Sequence, residues 1–251
     1  MCHKTTIVYI NSADVQNPSD FRITTGNSGV LDIYEYAVQD ITVPFTWNTI
    51  RVGRNTIQWT ATVDGILSVT VPSGNYTATQ LATQLTNQMT AVATTSIYTV
   101  TYNSITQNFS INAPTDTFRI LQTDLDASDL WTPLGFTSPY TIASNTQISV
   151  SSININGDNR LFVTSSAISN NDSYQTSANS QLDRSERIAS VIIDGQPGSI
   201  LQDKKSELIW RQWPWTNLNS FDIQLRHEDG SLVDLRGNDW QISIIFHSKL
   251  D

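Results

Sequence analysis

The side chains that most often carry catalysis or hold metal ions are few in this sequence. Its three histidines, His3, His227 and His247, lie far apart along the chain, and Cys2 is the only cysteine. One cysteine excludes a disulfide framework and a cysteine-based zinc site within one chain. No serine-nucleophile, phosphate-loop, dinucleotide-binding or zinc-protease motif occurs. We therefore expect the histidines to be solvated surface residues, and we predict that the protein is not an enzyme.

Two short clusters of oxygen-bearing side chains come nearest to a metal site. Asp124, Asp126 and Asp129 have a spacing similar to that of a calcium loop, but the turn glycine and the closing glutamate are missing. The second cluster lies around Gly157 and is explained by turn formation. We expect solvated turns at both places, so the sequence predicts no metal site and no cofactor.

The composition indicates the kind of fold that must position these residues. Among the 251 residues, hydrophobic residues make up 39% and charged residues only 15%, and uncharged polar residues fill the balance. Such a composition favours β-strands over helices. The net charge of −9 argues against binding to a nucleic-acid backbone. Apolar runs of only about four residues are too short to cross a membrane.

Apolar and polar residues alternate in the clearest strands. In residues 56–63, 221–226 and 240–246, every second side chain is apolar. This pattern places one face of each strand on a core. About a dozen such short strands, joined by polar turns, are typical of an antiparallel β-sandwich. We therefore predict an all-β fold.

The domain organisation is expected to be simple. Residues 1–20 contain one short strand and then a polar run. They are predicted to form either an arm that packs on a neighbouring subunit or an edge strand of their own sheet. No linker and no internal repeat divides the rest of the chain. Residues 21–251 are therefore predicted to form one domain.

A hairpin is predicted at Asp64-Gly65, which lies between two alternating strands. A three-residue loop with the glycine in the left-handed region would pair Trp59 with Val69 and Ile57 with Val71. This register keeps the apolar residues of both strands on one face, and we prefer it for that reason.

One surface helix is predicted over residues 77–92. Thr77 and Gln80 form the Thr-x-x-Gln motif of a capping box. Apolar residues then recur at helical spacing, at Leu81, Leu85 and Met89. The helix should therefore pack on a sheet through this narrow stripe. A second, shorter helical turn is expected at residues 127–130.

Two segments are candidate parts of a subunit interface. Residues 170–187 are expected to form a long exposed loop that carries Tyr174, because the first part of the segment has almost no apolar residue. Further on, Trp210, Trp213 and Trp215 lie around a proline. Aromatic residues at this density fill the end of a core, anchor a subunit contact or form a platform for sugars. We predict that Tyr174, Trp213 and Trp215 contribute to a subunit interface.

Four stretches of the sequence carry a resemblance to a known family. The first, residues 40–50, is a strand ending in proline with asparagine following, and the second, residues 71–77, leads into the helix. The third, residues 129–136, has Leu-Gly-Phe after Asp-Leu-Trp, and the fourth, residues 221–246, is the C-terminal strand pair. In this order they resemble capsid proteins of large icosahedral double-stranded DNA viruses. The similarity is greatest to the penton and minor capsid proteins of giant viruses, virophages and related elements.

The resemblance implies a single jelly roll, since 251 residues are too few for the double jelly roll of the major capsid protein in this lineage. It implies a structural protein of the virion, and specifically the penton that forms a homopentamer at the five-fold vertices. Its partners would be neighbouring major and minor capsid proteins, without direct contact to nucleic acid and without membrane insertion. A minor capsid protein between capsomers is the alternative, and a receptor- or carbohydrate-binding β-sandwich such as a fibre head stays open.

Overall fold

Strands dominate the structure, as the alternation of apolar and polar residues predicts. A computed structural model describes residues 3–15, 17–24, 30–31, 33–167, 174–176, 182–184, 186–212, 217–218 and 220–249. All strand pairs in these parts of the chain are antiparallel. The prediction of an all-β fold is confirmed.

The chain divides into two compact units, and each forms its own core. Unit 1 consists of Met1–Trp47 and Asp158–Asp251, and unit 2 consists of Asn48–Gly157. The division into compact units does not decide whether residues 21–251 form one domain, which stays a prediction. Both units are built from the same kind of alternating strand, and no change in composition marks residues 47–48 and 157–158, where the chain passes from one unit to the other. The division consequently leaves no trace in the sequence pattern.

Strands and two α-helices follow one another along the described residues. The first part of unit 1 contains β1 (His3–Asn11), β2 (Asp20–Thr24), β3 (Val30–Leu31) and β4 (Ile33–Pro44). Unit 2 contains β5 (Thr56–Ala61), β6 (Gly65–Thr70), α1 (Ala78–Val92), β7 (Thr99–Asn103), β8 (Asn108–Asn112), β9 (Phe118–Ile120), α2 (Gln122–Asp126), β10 (Tyr140–Ser144) and β11 (Thr146–Ile148). The second part of unit 1 contains β12 (Arg160–Thr164), β13 (Tyr174–Thr176), β14 (Leu182–Arg184), β15 (Arg187–Ile192), β16 (Ile200–Lys204), β17 (Arg211–Gln212), β18 (Asn217–Leu218), β19 (Ser220–Arg226) and β20 (Gln241–Lys249).

The strand order of unit 1 is that of a jelly roll. One sheet runs β1-β20-β4-β16, with β17 added to β4, and the other runs β15-β12-β19-β2. Numbered one to eight along the chain, these main strands are β1, β2, β4, β12, β15, β16, β19 and β20. In these numbers, the order is 1-8-3-6 in the first sheet and 5-4-7-2 in the second. This order is the double Greek key of a jelly roll. Unit 2 is inserted in the sequence between the third and the fourth of these strands.

The two jelly-roll sheets share one hydrophobic core. The alternating residues of the last two strands lie in it, and all are at most 2% exposed: Phe221, Ile223, Leu225, Ile242, Ile244 and Phe246. These are the faces that the sequence pattern predicts. Each such side chain contributes about 1.5–3 kcal/mol to folding through the burial of apolar surface.

The N-terminal strand lies at the edge of its own sheet. β1 pairs along its whole length with β20, from His3 opposite Lys249 to Asn11 opposite Gln241. Its outer edge pairs with no strand of the described chain. Residues 3–11 therefore form an edge strand of their own sheet, and whether residues 1–20 also pack on a neighbouring subunit stays a prediction.

Helix α1 of unit 2 has the predicted cap and the predicted buried stripe. The Thr77 hydroxyl accepts a hydrogen bond from the Gln80 main chain, and the Gln80 side chain accepts one from the Thr77 main chain. The buried residues are Leu81, Ala82, Leu85 and Met89, and they pack the helix against β6 and β7. The apolar stripe ends there, because Val92 is 37% exposed.

The β5–β6 hairpin has a different register from the predicted one. Trp59 pairs with Leu67 rather than with Val69, and Gly65, at φ +75°, starts β6. A shift of two residues keeps the same faces buried, so alternation alone does not distinguish the two registers. Residues outside the hairpin hold its turn: the Asp64 carboxylate accepts hydrogen bonds from Thr94 and Thr95, which follow α1.

Candidate assembly surface

The acidic cluster of unit 2 is a structural feature of its fold. Asp124 lies in α2 and is only 1% exposed, whereas a solvated turn was expected. Its carboxylate accepts hydrogen bonds from Gln58 Nε2 at 3.2 Å, Thr60 Oγ1 at 3.1 Å and Leu121 N at 2.9 Å. The short helix therefore covers the polar face of β5, and it lies earlier in the chain than the helical turn expected at residues 127–130. Across the described chain, no group of three or more His, Cys, Asp or Glu is placed to hold a metal ion.

His227 is buried in unit 1, which corrects the expectation of a solvated histidine. Its Nδ1 lies 2.6 Å from Oδ2 of Asp158, and both side chains are 1% exposed. The edge of the ring faces Trp47, with ring centroids 6.1 Å apart. Trp47 and Asp158 are the residues on either side of the point where unit 2 interrupts unit 1. The contact between His227 and Trp47 thus joins the two parts of unit 1.

His247 is also held within unit 1 rather than solvated. Its Nδ1 lies 2.8 Å from Oε1 of Glu35, and its ring stacks on Trp210 with centroids 3.8 Å apart. Trp210 therefore packs on the sheet that contains β20. The side chain of His3, the third histidine, lies outside the described residues.

The predicted interface residues are only partly covered by the structure. Trp213 and Trp215 lie outside the described residues. Tyr174 begins β13, and its main chain pairs with Arg184 of β14 in a segment that was expected to be a loop throughout. The side chain of Tyr174 lies outside the description. A role for these three residues in a subunit contact stays a prediction.

Free strand edges are the first feature of unit 1 that suits assembly. Among the described residues, β1 and β16 are the outer strands of one sheet, and β2 and β15 are those of the other. An outer strand presents unpaired main-chain N–H and C=O groups that can pair with another chain. Each sheet therefore has two different edges, one at β1 or β2 and one at β16 or β15.

A cationic groove lies along β15 and is the second such feature. It has a volume of about 270 Å³, and we call it the β15 groove; it is lined by Val38, Phe162, Arg187, Ile188, Ala189, Ser190, Lys205, Ile209 and Arg211. All three charged residues in this lining are cations, although the chain has a net charge of −9, and one of them, Lys205, pairs with Asp203 at 2.5 Å. Its positive charge therefore complements an acidic surface.

The contacts inside the β15 groove fix its cations in place. The Arg187 guanidinium lies 3.8 Å from the centroid of the Phe162 ring, a cation–π distance. Arg211 Nη1 donates a hydrogen bond to the Arg187 carbonyl oxygen at 3.1 Å. Ile209, at 69% exposure, adds an apolar rim. The sequence does not reveal this groove, because its cations are spread over residues 187–211 and only Lys204-Lys205 forms an adjacent basic pair.

Comparison with known proteins gives a structural likeness and no likeness in sequence. No protein-family model and no curated protein matches the chain. The fold is similar to the crystal structure of the selenomethionine-labelled mavirus penton protein, with a TM-score of 0.55 and 11% sequence identity. The match covers 98% of this chain and 100% of that one. In the described residues, no helix combines the length and the apolar character needed to cross a bilayer.

Proposed function

We propose that this protein is a structural capsid protein of an icosahedral double-stranded DNA virus, and specifically its penton protein. The observation that carries the proposal is the full-length structural similarity to a penton protein, which extends over 98% of the chain. The jelly-roll strand order of unit 1 supports it independently. The protein would act in the virion without catalysis, next to major and minor capsid proteins.

A ring is the form of assembly that the sheet edges support. A closed ring of identical subunits needs two different surfaces on each subunit, which meet between neighbours. Both jelly-roll sheets have such a pair of edges, β1 and β16 in one sheet and β2 and β15 in the other, and β15 contacts β16. We infer a homopentamer whose subunits meet side by side through these edges.

The charge distribution supports a second copy of the chain as the partner of the β15 groove. An acidic protein offers acidic surface to its neighbours, and the groove is lined by three cations, of which Lys205 already pairs with Asp203 at 2.5 Å. Charged residues make up only 15% of the sequence, so little charge has to be desolvated elsewhere in the contact. Like subunits can therefore approach despite the net charge of −9 on each.

A reconstruction of the virion tests the proposal directly. We expect density for this chain as a five-fold ring at the vertices, with the β15 groove buried between neighbouring subunits. Density between capsomers, away from every five-fold axis, would instead identify a minor capsid protein. Native mass spectrometry of the purified chain complements this experiment, since a trimer would point to a fibre head.

A further inference from the structure

Unit 2 contains long stretches without a charged side chain. Residues 65–115 and 130–157 contain no Asp, Glu, Lys, Arg or His. They include helix α1 and the three strands β7, β8 and β11. A water-exposed protein surface normally carries charged residues of both signs. A surface built from these stretches therefore loses less hydration free energy when another molecule covers it.

The sheet β11-β8-β7 turns one uncharged face to solvent. Its residues stand opposite one another in two rows across the strands, Thr146, Asn112 and Thr99 in the first and Ile148, Ser110 and Thr101 in the second. All six are exposed or half-buried, whereas Ile111 and Val100, on the other face, are buried. We call these six residues the neutral face.

Exposed apolar side chains border the neutral face along β11. Ile148 is 55% exposed, and Val150, two residues further along the chain, is 64% exposed. The Tyr140 hydroxyl donates a hydrogen bond to the Ile148 carbonyl oxygen at 2.7 Å, which places β10 beside β11. Apolar residues of this kind gain free energy when a partner removes them from water.

A bulge in β10 holds a further apolar side chain in solvent. Tyr140 lies opposite Ile120 and Ser144 opposite Phe118, so three residues of β10 span the space of one residue of β9. Ile142, in the middle of this bulge, is 81% exposed. The buried Gln147 side chain donates a hydrogen bond to the Ile142 carbonyl oxygen at 3.1 Å and fixes the bulge from inside.

Helix α1 closes the outer edge of β7, on the opposite side of the sheet. The Thr86 hydroxyl accepts a hydrogen bond from Val100 N at 2.8 Å and lies 3.3 Å from its carbonyl oxygen. Thr90 makes the same two contacts with the main chain of Tyr98, at 3.0 and 3.1 Å. These hydroxyls occupy the groups that another strand would pair with. A partner chain must therefore approach this sheet through its face rather than by extending it at β7.

The chemistry of the neutral face decides which partner fits. Without a charge, it offers an ion pair to neither an acidic nor a basic partner. Thr, Ser and Asn side chains both donate and accept hydrogen bonds, so the face is complementary to another copy of itself. Two chains with a net charge of −9 each also repel one another least where neither presents a charged residue.

We propose that the neutral face packs on the neutral face of a second copy of the chain, sheet against sheet around a two-fold axis. Such a contact is isologous, because the same residues meet from both sides. It does not depend on the penton assignment, since it uses unit 2 alone. Neighbours in a five-fold ring are not related by a two-fold axis, so in that assembly the contact joins copies from different rings.

The contact is expected to be weak. Stable interfaces bury about 800 Å² on each partner, and three short strands provide less than that. We therefore expect a dissociation constant of about 100 µM. Sedimentation velocity on the full chain, over a series of concentrations, should show the mass of the smallest assembly, chain or ring, doubling in this range.

A charge exchange at Ser110 tests whether the face meets itself. Ser110 lies on the middle strand of the sheet, so it is expected close to the two-fold axis. Ser110→Lys and Ser110→Glu should each weaken the doubling about tenfold or more, because like charges then meet across the axis. An equal mixture of the two variants should restore it, since lysine then faces glutamate. Rings formed through the β15 groove should persist in all three samples.

Thr83 provides the matched control, because it is exposed on α1, away from the neutral face. Thr83→Lys and Thr83→Glu should double in mass like the unmodified chain. Unchanged melting temperatures of the Ser110 variants would show that they lose the contact and not the fold.

Cross-linking provides a second measurement that does not depend on added charge. Packed sheets lie about 10 Å apart, a distance that a short bismaleimide spans. The natural cysteine, Cys2, is first replaced by serine. In this background, Thr101→Cys should form cross-linked pairs of chains, and Thr83→Cys should not.

Three results would overturn the proposal. The first is the absence of any doubling in mass up to millimolar concentration. The second is a mixture of Ser110→Lys and Ser110→Glu that associates no better than either variant alone, which would place a different surface opposite the neutral face. The third is equal cross-linking of Thr101→Cys and Thr83→Cys, which would reveal non-specific association.

Discussion

His227 Nδ1 and Asp158 Oδ2 lie 2.6 Å apart, in a contact from which solvent is almost excluded. The two residues are 69 positions apart in sequence, and both lie in the second part of unit 1, Asp158–Asp251. A buried ion pair or charged hydrogen bond of this kind is costly to break, because the remaining side chain is still buried but no longer has a partner that offsets the loss of its hydration.

Removing either partner of this pair should destabilise unit 1. We expect His227→Ala and Asp158→Ala each to lower the free energy of unfolding by about 3 kcal/mol in urea titrations. The double variant should cost less than the sum of the two, with a coupling of about 1–3 kcal/mol. Glu228→Ala, at the exposed neighbouring position, is the control. Strictly additive losses would show that the two side chains do not support each other.

Asp124 provides the corresponding test in unit 2. Asp124→Ala leaves the donors on Gln58, Thr60 and Leu121 without this acceptor, and we expect a loss of about 2–3 kcal/mol in thermal or urea unfolding. Asp126→Ala changes an exposed carboxylate of the same short helix and should stay within about 0.5 kcal/mol of the original stability. Equal losses for both variants would contradict the structural role assigned to Asp124.

Asp222 should give part of the stability of unit 1 a dependence on pH. Partial burial raises the pKa of this carboxyl, but hydrogen bonds from Ser166 and Ala167 outweigh it and hold the pKa below its usual value. A pKa lowered by folding stabilises the folded state above the unfolded value, near 3.9, and this contribution disappears as the pH falls through the folded value.

The variant Asp222→Asn isolates this contribution. At neutral pH we expect it to be less stable than the unmodified chain by less than about 1 kcal/mol, since the carboxylate is partly exposed. The gap between the two melting temperatures should close as the pH falls below about 4. A gap that stays constant down to that range, or widens, would contradict the assignment.

A charge reversal in the β15 groove tests the ring contact. Lys205 lines the groove, whereas Arg119 is an exposed cation of β9 in unit 2. Lys205→Glu should reduce the fraction of ring that forms, and more so at low salt, where charge repulsion is screened least. Arg119→Glu carries the same change in charge and should assemble normally. Mass photometry across salt concentrations measures both, and identical behaviour would remove the groove from the contact.

Sequence patterns predict those elements whose cause is local. The alternation in β19 and β20 is confirmed because one-sided burial repeats with the period of a strand. The capping box at Thr77 is confirmed because its hydrogen bonds span only three residues. The jelly-roll class follows from the resemblance and is borne out by the strand order.

The features that are not predicted from the sequence depend on contacts between segments that are far apart in the chain. In the sequence, His227 stands beside Glu228 and is therefore expected at the surface. In the structure it is buried and bonded to Asp158, which is 69 positions away. The β15 groove collects its cations from three separate segments. The turn of the β5–β6 hairpin accepts hydrogen bonds from Thr94, a residue beyond the helix that follows.

The insertion of unit 2 into the jelly roll has a consequence for how such a chain can vary. Within unit 2 the two ends are neighbours, because a Cβ on Gly157 would lie 3.7 Å from the Cα of Thr49. Within unit 1 the two ends are joined through His227, which contacts both Trp47 and Asp158. Each module closes on itself, so residues 48–157 form a cassette that a lineage can exchange, enlarge or delete by recombination while the strand order of the host sandwich stays intact.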